Sequence, residues 1–407
     1  MKKTLIIVNI ALAVVLVVTC FGIISTNEFR QLVGLRQSAT QVAAVGFQTT
    51  SLRDTMYIPP SSPEPSEPDD YFALTGILEL PISGASGYAS IPLDVFEGPS
   101  WDAPIITIFE PGQGFTILGE SELWWEIEIG QVRGWVEHTY CLINLPDVVP
   151  SIAYNITNAS ASIMQSSGYY IPNITGLALY DAYGYNARFG ENQYVVPVLY
   201  STAKRICQAQ HAALADGNTL IIYEAFRPYE VQQRVYTNLT SLANTNPMVA
   251  AGVSVTPWSI SWFIASGVSN HQVGFAIDVS LGRVLEQEYV VLENYLYPKT
   301  VFWEEYEMPT QIHELSAASA AFTSPISADS TTAWQSAVLA PSMNEAAVSL
   351  QHYCIGVGLT PIGSEWWHFN DNASRVDVEP MGGNGRYFVS ETYSVPPGDW
   401  MTARSAL

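Results

Sequence analysis

The stretch SNHQVGFAIDVSL at 269–281 places a histidine and an aspartate seven residues apart, around a glycine, at the start of an apolar strand. Strand alternation puts Asp278 on one face, opposite the apolar side chains that flank it on the core face. A turn at Gly274 would bring His271 back beside Asp278. An imidazole and a carboxylate so placed are two of the three protein ligands of a catalytic zinc site, whose fourth position is left to water.

The best source for a third ligand is EWWHF at 365–369, which offers His368 and, three residues earlier, a carboxylate. Glu365 is the candidate general base, since a metal lowers the pKa of its water toward about 7. Residues i and i+3 of an ideal strand face opposite sides. The two side chains can therefore act together only if the chain bends at Trp366 and Trp367.

A third candidate residue is Arg227, which ends the apolar run TLIIYEAF and precedes a proline. A cation that leaves a core strand is costly unless it is paired. One role for it is to stabilise the oxyanion of a tetrahedral intermediate. The alternative is a structural ion pair with Glu224 or Glu230.

The length and the net charge of the chain limit the number of domains and the kinds of partner that it can have. The chain has 407 residues, of which 48% are hydrophobic, enough for two folded domains. Its formal net charge is -22. That charge repels phosphate backbones and excludes nucleic acid as a partner.

The N-terminal residues 1–25 predict a membrane anchor. After two lysines, the run from Thr4 to Ser25 is uncharged and almost wholly apolar, long enough for the roughly 20 helical residues that a bilayer requires. A cleaved signal peptide has a shorter apolar region and a small-residue cleavage site, so an uncleaved single-pass anchor is favoured. The lysines place residues 26–407 outside the cytoplasm. Residues 26–70 predict a stalk, because the part from 50 to 70 is rich in Pro, Ser and acids.

Residues 71–147 predict a small all-β barrel, because short apolar runs alternate there with Gly and Pro turns. Trp124 is expected to be exposed, and Trp125 and Trp135 to be in the core. The pieces LDVFEGPS, PGQGFTILGE and GWVEHTYC resemble the bacterial SH3-like wall-targeting domain. That resemblance implies binding to peptidoglycan peptides, with a structural spacer as the alternative.

Residues 151–395 predict an α+β domain. Apolar spacing over 198–217 predicts a helix that stops at a glycine, TLIIYEAF a buried strand, and 343–357 a further helix. The aromatic and acidic stretch 286–307 is expected to be irregular.

In this order, YEAFRP (223–228), SNHQVGFAID (269–278) and EWWHF (365–369) resemble the zinc D-Ala-D-Ala peptidases, the VanX/VanY-type dipeptidases and carboxypeptidases. The resemblance implies an α+β fold with a central antiparallel sheet and a Zn²⁺ cofactor. The implied zinc ligands are His271, Asp278 and His368. The implied roles of other residues are Glu365 as base, Arg227 as oxyanion stabiliser and Ser269 as a substrate contact.

EMPTQIHELS at 307–316 resembles the dipeptidase segment whose acid holds the free amino group of the substrate. His313 occupies that place, so the resemblance implies a preference for longer, N-blocked peptides unless the neighbouring Glu314 substitutes.

The resulting hypothesis is a bacterial, membrane-anchored, extracytoplasmic zinc peptidase acting on D-Ala-D-Ala, either at the end of peptidoglycan stem peptides or as the free dipeptide. The predicted location favours carboxypeptidase action, whereas EAFRP and EWWHF favour the dipeptidase. Two alternatives are a non-catalytic wall-binding protein and a murein endopeptidase.

Overall fold

The computed structural model of the chain describes residues 77–378 and 381–398. The predicted anchor (1–25) and stalk (26–70) lie outside the described residues. None of the helices within the described ranges is long and apolar enough to cross a membrane.

The first part of the described chain forms an eight-stranded antiparallel sheet in the order β13-β7-β1-β4-β5-β6-β2-β3. Its strands are β1 (Ser86–Ala89), β2 (Leu93–Phe96), β3 (Ile105–Phe109), β4 (Gly114–Ser121), β5 (Trp124–Ile129), β6 (Val132–Glu137), β7 (Cys141–Asn144) and β13 (Pro197–Leu199). The short apolar runs between turns therefore form strands as predicted. The SH3-like assignment of this segment stays a prediction.

The expected exposure of Trp124 is wrong. Its side chain is only 4% exposed and packs against Phe96 and Trp101, with ring centroids 5.3 and 5.2 Å away. Trp101, which lies in the turn after β2, is the exposed tryptophan at 62%. Trp125 is buried as expected, and Trp135 is half-buried. Strand alternation could not show that the β2–β3 turn folds back over Trp124.

A second, six-stranded sheet carries Asp278 and His368, two of the predicted site residues. Its order is β17-β18-β15-β14-β8, with β16 also paired to β15. Every pair is antiparallel except β14 with β8, so the predicted antiparallel sheet is present with one parallel edge. The strands are β8 (Ala153–Tyr154), β14 (Asn218–Glu224), β15 (Ala276–Leu292), β16 (Tyr295–Glu305), β17 (Thr360–Pro361) and β18 (His368–Asn370).

Helices and two small hairpins complete the mixed α/β fold. The hairpins pair β9 (Gln165–Ser166) with β10 (Tyr169–Tyr170) and β11 (Tyr183–Asn186) with β12 (Glu191–Tyr194). The helices are α1 (Leu145–Val148), α2 (Tyr200–Ala215), α3 (Tyr229–Thr245), α4 (Pro247–Ser254), α5 (Asn270–Val273), α6 (Glu345–Gly356) and α7 (Asn372–Val378). Helix α2 ends before Gly217, whose φ of +75° suits a residue without a side chain. The predicted helices over 198–217 and 343–357 are thus confirmed.

The stretch 286–307 is not irregular, as the sequence led us to expect. Most of it forms a long hairpin of β15 and β16, paired from Gly282↔Glu305 to Leu292↔Tyr295. Tyr295 and Tyr297 are buried against Leu80, so one face of the hairpin is held by the segment before β1. Two register shifts near Glu286 interrupt the alternation, which is why the sequence there does not show period two.

The two sheets share one hydrophobic core. Strand β13 joins the first sheet through β7 and leads directly into α2, which packs on β14 of the second sheet. A single cluster of buried side chains runs from Trp125 of β5 through Val148 to Ile222 of β14. The predicted limits of the domains stay a prediction, but the packing between the two sheets is continuous.

Candidate metal centre

Asp278 lies at the centre of the site because of the strand register. In β15 it pairs with His368 of β18 on one side and with Glu224 of β14 on the other. A bulge at Tyr223 brings Glu224 into that position. Asp278 is 1% exposed. Burial opposes its ionisation, yet the surrounding His271, His313 and His368 hold the pKa of the carboxyl well below its usual range. Asp278 is therefore an anion that needs cationic neighbours.

His271 reaches Asp278 through the turn at Gly274. It lies in the short helix α5, and Gly274 ends that helix with a φ of +95°, a left-handed conformation. The Nε2 atom of His271 is 3.3 Å from Asp278 Oδ1. Its Nδ1 is 2.6 Å from the carbonyl oxygen of Ala225, which can only accept, so Nδ1 carries the proton. Burial lowers the pKa of His271, which leaves a neutral ring with an Nε2 lone pair free to bind a metal.

His368 follows the bend predicted at Trp366 and Trp367, where the chain makes a turn before β18. Its Nδ1 lies 3.0 Å from Asp278 Oδ1 and 3.1 Å from His271 Nε2. Its Nε2 lies 2.9 Å from Asn370 Oδ1, an acceptor that fixes the proton on Nε2. The second lone pair of the site is therefore on His368 Nδ1.

These three residues fit a tetrahedral zinc ion. Zinc bonds to nitrogen and oxygen of about 2.0–2.2 Å give a ligand-to-ligand edge of about 3.4 Å. The three edges between His271 Nε2, Asp278 Oδ1 and His368 Nδ1 measure 3.0, 3.1 and 3.3 Å. Both histidines also have their other nitrogen bonded to a protein oxygen, the outer contact that metal-binding histidines usually make. The predicted ligand residues are thus brought together by the fold.

Glu365 lies beside this group. One of its oxygens, Oε2, is 3.8 Å from His368 Nδ1, and the residue is 7% exposed. Burial raises the pKa of Glu365 above its usual range, while His368 and Arg227 act in the opposite direction. A buried carboxyl with a raised pKa has the proton affinity that a general base requires near neutral pH.

Arg227 lies on the other side of Asp278 and holds it in place. Its Nη2 is 3.1 Å from Asp278 Oδ2, its Nε donates to Glu224 at 2.6 Å, and its Nη1 donates to Gln232 at 2.8 Å. The sequence pattern gives no sign of Gln232, and it indicates Glu224 only as a possible ion-pair partner of Arg227. Glu224 stands one strand away from Asp278, so only the strand register could have shown that it belongs to this network.

His313 occupies the same network. Its Nε2 is 3.1 Å from Asp278 Oδ2, and its φ is +64°, a left-handed conformation that few non-glycine residues adopt. Glu314 points elsewhere, because its carboxylate accepts from Ser167 N, Gly168 N and Ser316 Oγ. Neither residue therefore presents a free carboxylate to a ligand.

A cavity of about 200 Å³ opens over the group. Ser269 lies in its wall, where it is the N-cap residue of α5 and its hydroxyl oxygen is buried. Residues 261–265 also line the cavity, although no motif in the sequence marks them as part of a site. Arg227 is the only Arg or Lys among the described residues that line this cavity.

Residues 198–322 match the family model of VanY, described as D-alanyl-D-alanine carboxypeptidase. The matched segment contains Arg227, His271, Asp278 and His313, and it ends before Glu365 and His368. The match supports the predicted resemblance to VanY-type peptidases. No curated protein matches the chain.

Proposed function

We propose that this protein is a zinc-dependent D-alanyl-D-alanine carboxypeptidase that acts on peptidoglycan-derived peptides. The observation that carries the proposal is the convergence of His271, Asp278 and His368 on edges of 3.0–3.3 Å beside the buried Glu365. The VanY match over 198–322 supports the same reaction class. Bound zinc would polarise the scissile carbonyl and acidify water.

The surrounding residues supply proton transfer and charge. Glu365 takes the proton from the attacking water and returns it to the leaving amine, a step that its raised pKa favours. Arg227 keeps Asp278 ionised and oriented, and its guanidinium lines the cavity in which negative charge develops. Ala225 and Asn370 accept the outer ring N–H of His271 and His368, which orients the other nitrogen of each ring toward Asp278.

An N-blocked peptide is the proposed substrate. A free dipeptide carries an ammonium group that needs a carboxylate partner. His313 is bonded to Asp278, and Glu314 is bonded to backbone and Ser316, so neither of these residues is available for that role. The proposed substrates are therefore stem peptides that end in D-Ala-D-Ala.

Its place in the cell follows from the sequence. We propose an extracytoplasmic enzyme held in a bacterial membrane by residues 1–25, with the sheet of β1–β7 as a wall-binding part. Trp101, exposed at 62%, replaces Trp124 as the candidate wall contact.

One observation favours a second candidate, a murein endopeptidase. A carboxypeptidase must accept the terminal carboxylate of its substrate, a group that usually binds a cation. Arg227, the only Arg or Lys among the described cavity residues, is already bonded to Glu224, Asp278 and Gln232. A peptide cut within a cross-link presents no such carboxylate at the site.

The test uses the full-length chain loaded with zinc and four substrates: an N-acylated stem peptide ending in D-Ala-D-Ala, the same peptide with a C-terminal amide, a cross-linked dimer and free D-Ala-D-Ala. Release of D-Ala from the acylated acid alone supports the carboxypeptidase. Cleavage of the cross-linked dimer with equal activity on acid and amide supports the endopeptidase. Glu365→Gln is expected to lose activity at least 100-fold.

Turnover of the free dipeptide at a rate equal to the stem peptide would refute the proposed role of His313. A zinc-loaded wild type that cuts none of the four would refute the enzyme and leave the wall-binding alternative.

A further inference from the structure

A second group of metal-ligand side chains lies on helix α2, apart from the residues of the candidate centre. Cys207 and His211 are four residues apart and therefore lie on the same face of the helix. Glu79, from the segment before β1, reaches them. The ligand atoms of the three residues all lie within 4.8 Å of one another.

The two edges that His211 makes in this group fit tetrahedral zinc, and the edge from Cys207 to Glu79 lies within 4.8 Å. Zinc bonds of about 2.3 Å to sulfur and about 2.0 Å to nitrogen imply a sulfur-to-nitrogen edge of about 3.6 Å, and two nitrogen or oxygen ligands imply about 3.4 Å. Cys207 Sγ is 3.6 Å from His211 Nε2, and Glu79 Oε1 is 3.3 Å from the same nitrogen.

Outer contacts hold the carboxylate of Glu79 in place. Its Oε2 accepts from Ser151 N at 2.9 Å, and its Oε1 accepts from the Ser151 hydroxyl. Gln210 donates in turn to the Ser151 hydroxyl at 3.1 Å. A ligating carboxylate that is fixed in this way loses little further freedom when it binds a metal.

Access comes from one side. Glu79 and Cys207 are buried, whereas the side chain of His211 is 47% exposed. A metal can therefore enter at His211 and keep a fourth position for water. The thiolate and imidazole select a zinc-like d-block cation over Mg²⁺ or Ca²⁺, which prefer oxygen ligands.

We propose that Glu79, Cys207 and His211 form a second binding site for a zinc-like divalent cation. On binding, a sulfur–metal bond forms and the thiol proton leaves to solvent. The bound ion would tie the segment before β1 to helix α2. The site does not depend on the proposed peptidase function.

Cobalt(II) distinguishes this site from the candidate centre, because only a thiolate ligand gives a near-ultraviolet sulfur-to-cobalt charge-transfer band. Titration of the full-length chain under reducing conditions is expected to bind two equivalents, one of which produces the band. Cys207→Ala should lose the band and one equivalent. The matched control Cys354→Ala, a buried thiol of α6, should keep both. His211→Gln, a change at a half-exposed position, should lower the affinity of the banded site at least tenfold.

His368→Ala separates the two proposals. It should lose the other equivalent and keep the band. A band that survives Cys207→Ala, or a wild type without a band at saturating cobalt, would overturn the second site. Loss of peptidase activity with the band intact would count only against the proposed function.

Discussion

Asp278 and His368 lie directly opposite each other on β15 and β18, with Oδ1 and Nδ1 3.0 Å apart. On the other side of Asp278 the register sets Glu224 of β14 opposite the same residue. Three neighbouring strands thus carry Glu224, Asp278 and His368 in one row. Groups mounted on paired strands are positioned more rigidly than groups on loops, which suits a metal site.

Replacing Arg227 by Lys is expected to lower kcat about 100-fold or more with a smaller change in KM. Lysine cannot contact Glu224, Gln232 and Asp278 together as the guanidinium does. The measurement is steady-state release of D-Ala from the acylated stem peptide. Arg283→Lys is the matched control, because Arg283 makes an exposed pair with Glu304 in the same sheet. A kcat within twofold of wild type in Arg227→Lys would refute this role.

His313→Asp is expected to destabilise the protein by about 3 kcal/mol, because it buries a second carboxylate near Asp278 where a hydrogen-bond donor now lies 3.1 Å away. His313→Asn is the control, since asparagine accepts a left-handed backbone and keeps a neutral donor. Urea unfolding of the metal-free chain measures both. Equal free energies of unfolding of the two variants would show that the hydrogen bond from His313 does not stabilise the charge of Asp278.

Gly274→Ala is expected to cost more than the roughly 1–2 kcal/mol that a left-handed alanine alone costs. An added Cβ would lie 2.4 Å from a methyl carbon of Leu142, in addition to the strain at φ +95°. Gly176→Ala is the matched control, with φ +83° and no atom within 4 Å of its added Cβ. The difference between the two free energies of unfolding isolates the clash. If the two substitutions lower the free energy of unfolding equally, the side chain of Leu142 can move away from the added Cβ. Its packing would then not fix the turn at Gly274.

Glu120 is expected to make the stability of the protein depend on acid pH. Burial opposes ionisation of Glu120, but hydrogen bonds from His138 and Tyr200 and the charge of Lys204 lower its pKa below the usual 4.5. A folded-state pKa below the unfolded value gives a stabilisation that is complete above about pH 4.5 and is lost as pH falls through the folded value. The difference in free energy of unfolding between wild type and Glu120→Gln, the stability gap, should therefore shrink as the pH falls below about 4.5.

Urea titrations between pH 3 and 7, on the order of one per half unit, would measure that gap. Tyr200→Phe removes one hydrogen bond and keeps the carboxylate, so it should retain part of the pH dependence. A stability gap that grows as the pH falls would show that the folded-state pKa of Glu120 lies above the unfolded value.

The local parts of the site could be predicted from the sequence. Gly274 predicts the turn that brings His271 beside Asp278. The i, i+3 spacing of Glu365 and His368 predicts the bend that the chain makes at Trp366 and Trp367. Both features depend only on residues close together in the chain, where backbone geometry leaves few alternatives.

The contact between β14 and β15 and the neighbours that come from distant segments could not be predicted. Glu224 and Asp278 meet only because a bulge at Tyr223 sets the register of β14 against β15. The helical spacing of Cys207 and His211 predicts that these two side chains share a face of α2. It gives no sign of Glu79, which lies more than 120 residues upstream in the chain. Trp124 looked exposed by alternation, and the β2–β3 turn covers it.

Strand β13 belongs by pairing to the first sheet and by sequence to the helix that supports the second. The C-terminal segment crosses back in the same way, with Val395 N bonded to Gly84 and Tyr387 stacked on Phe226. The N-terminal sheet therefore does not behave as a module on a hinge. A surface that binds the N-terminal sheet would therefore lie at a fixed distance and orientation from the mouth of the cavity.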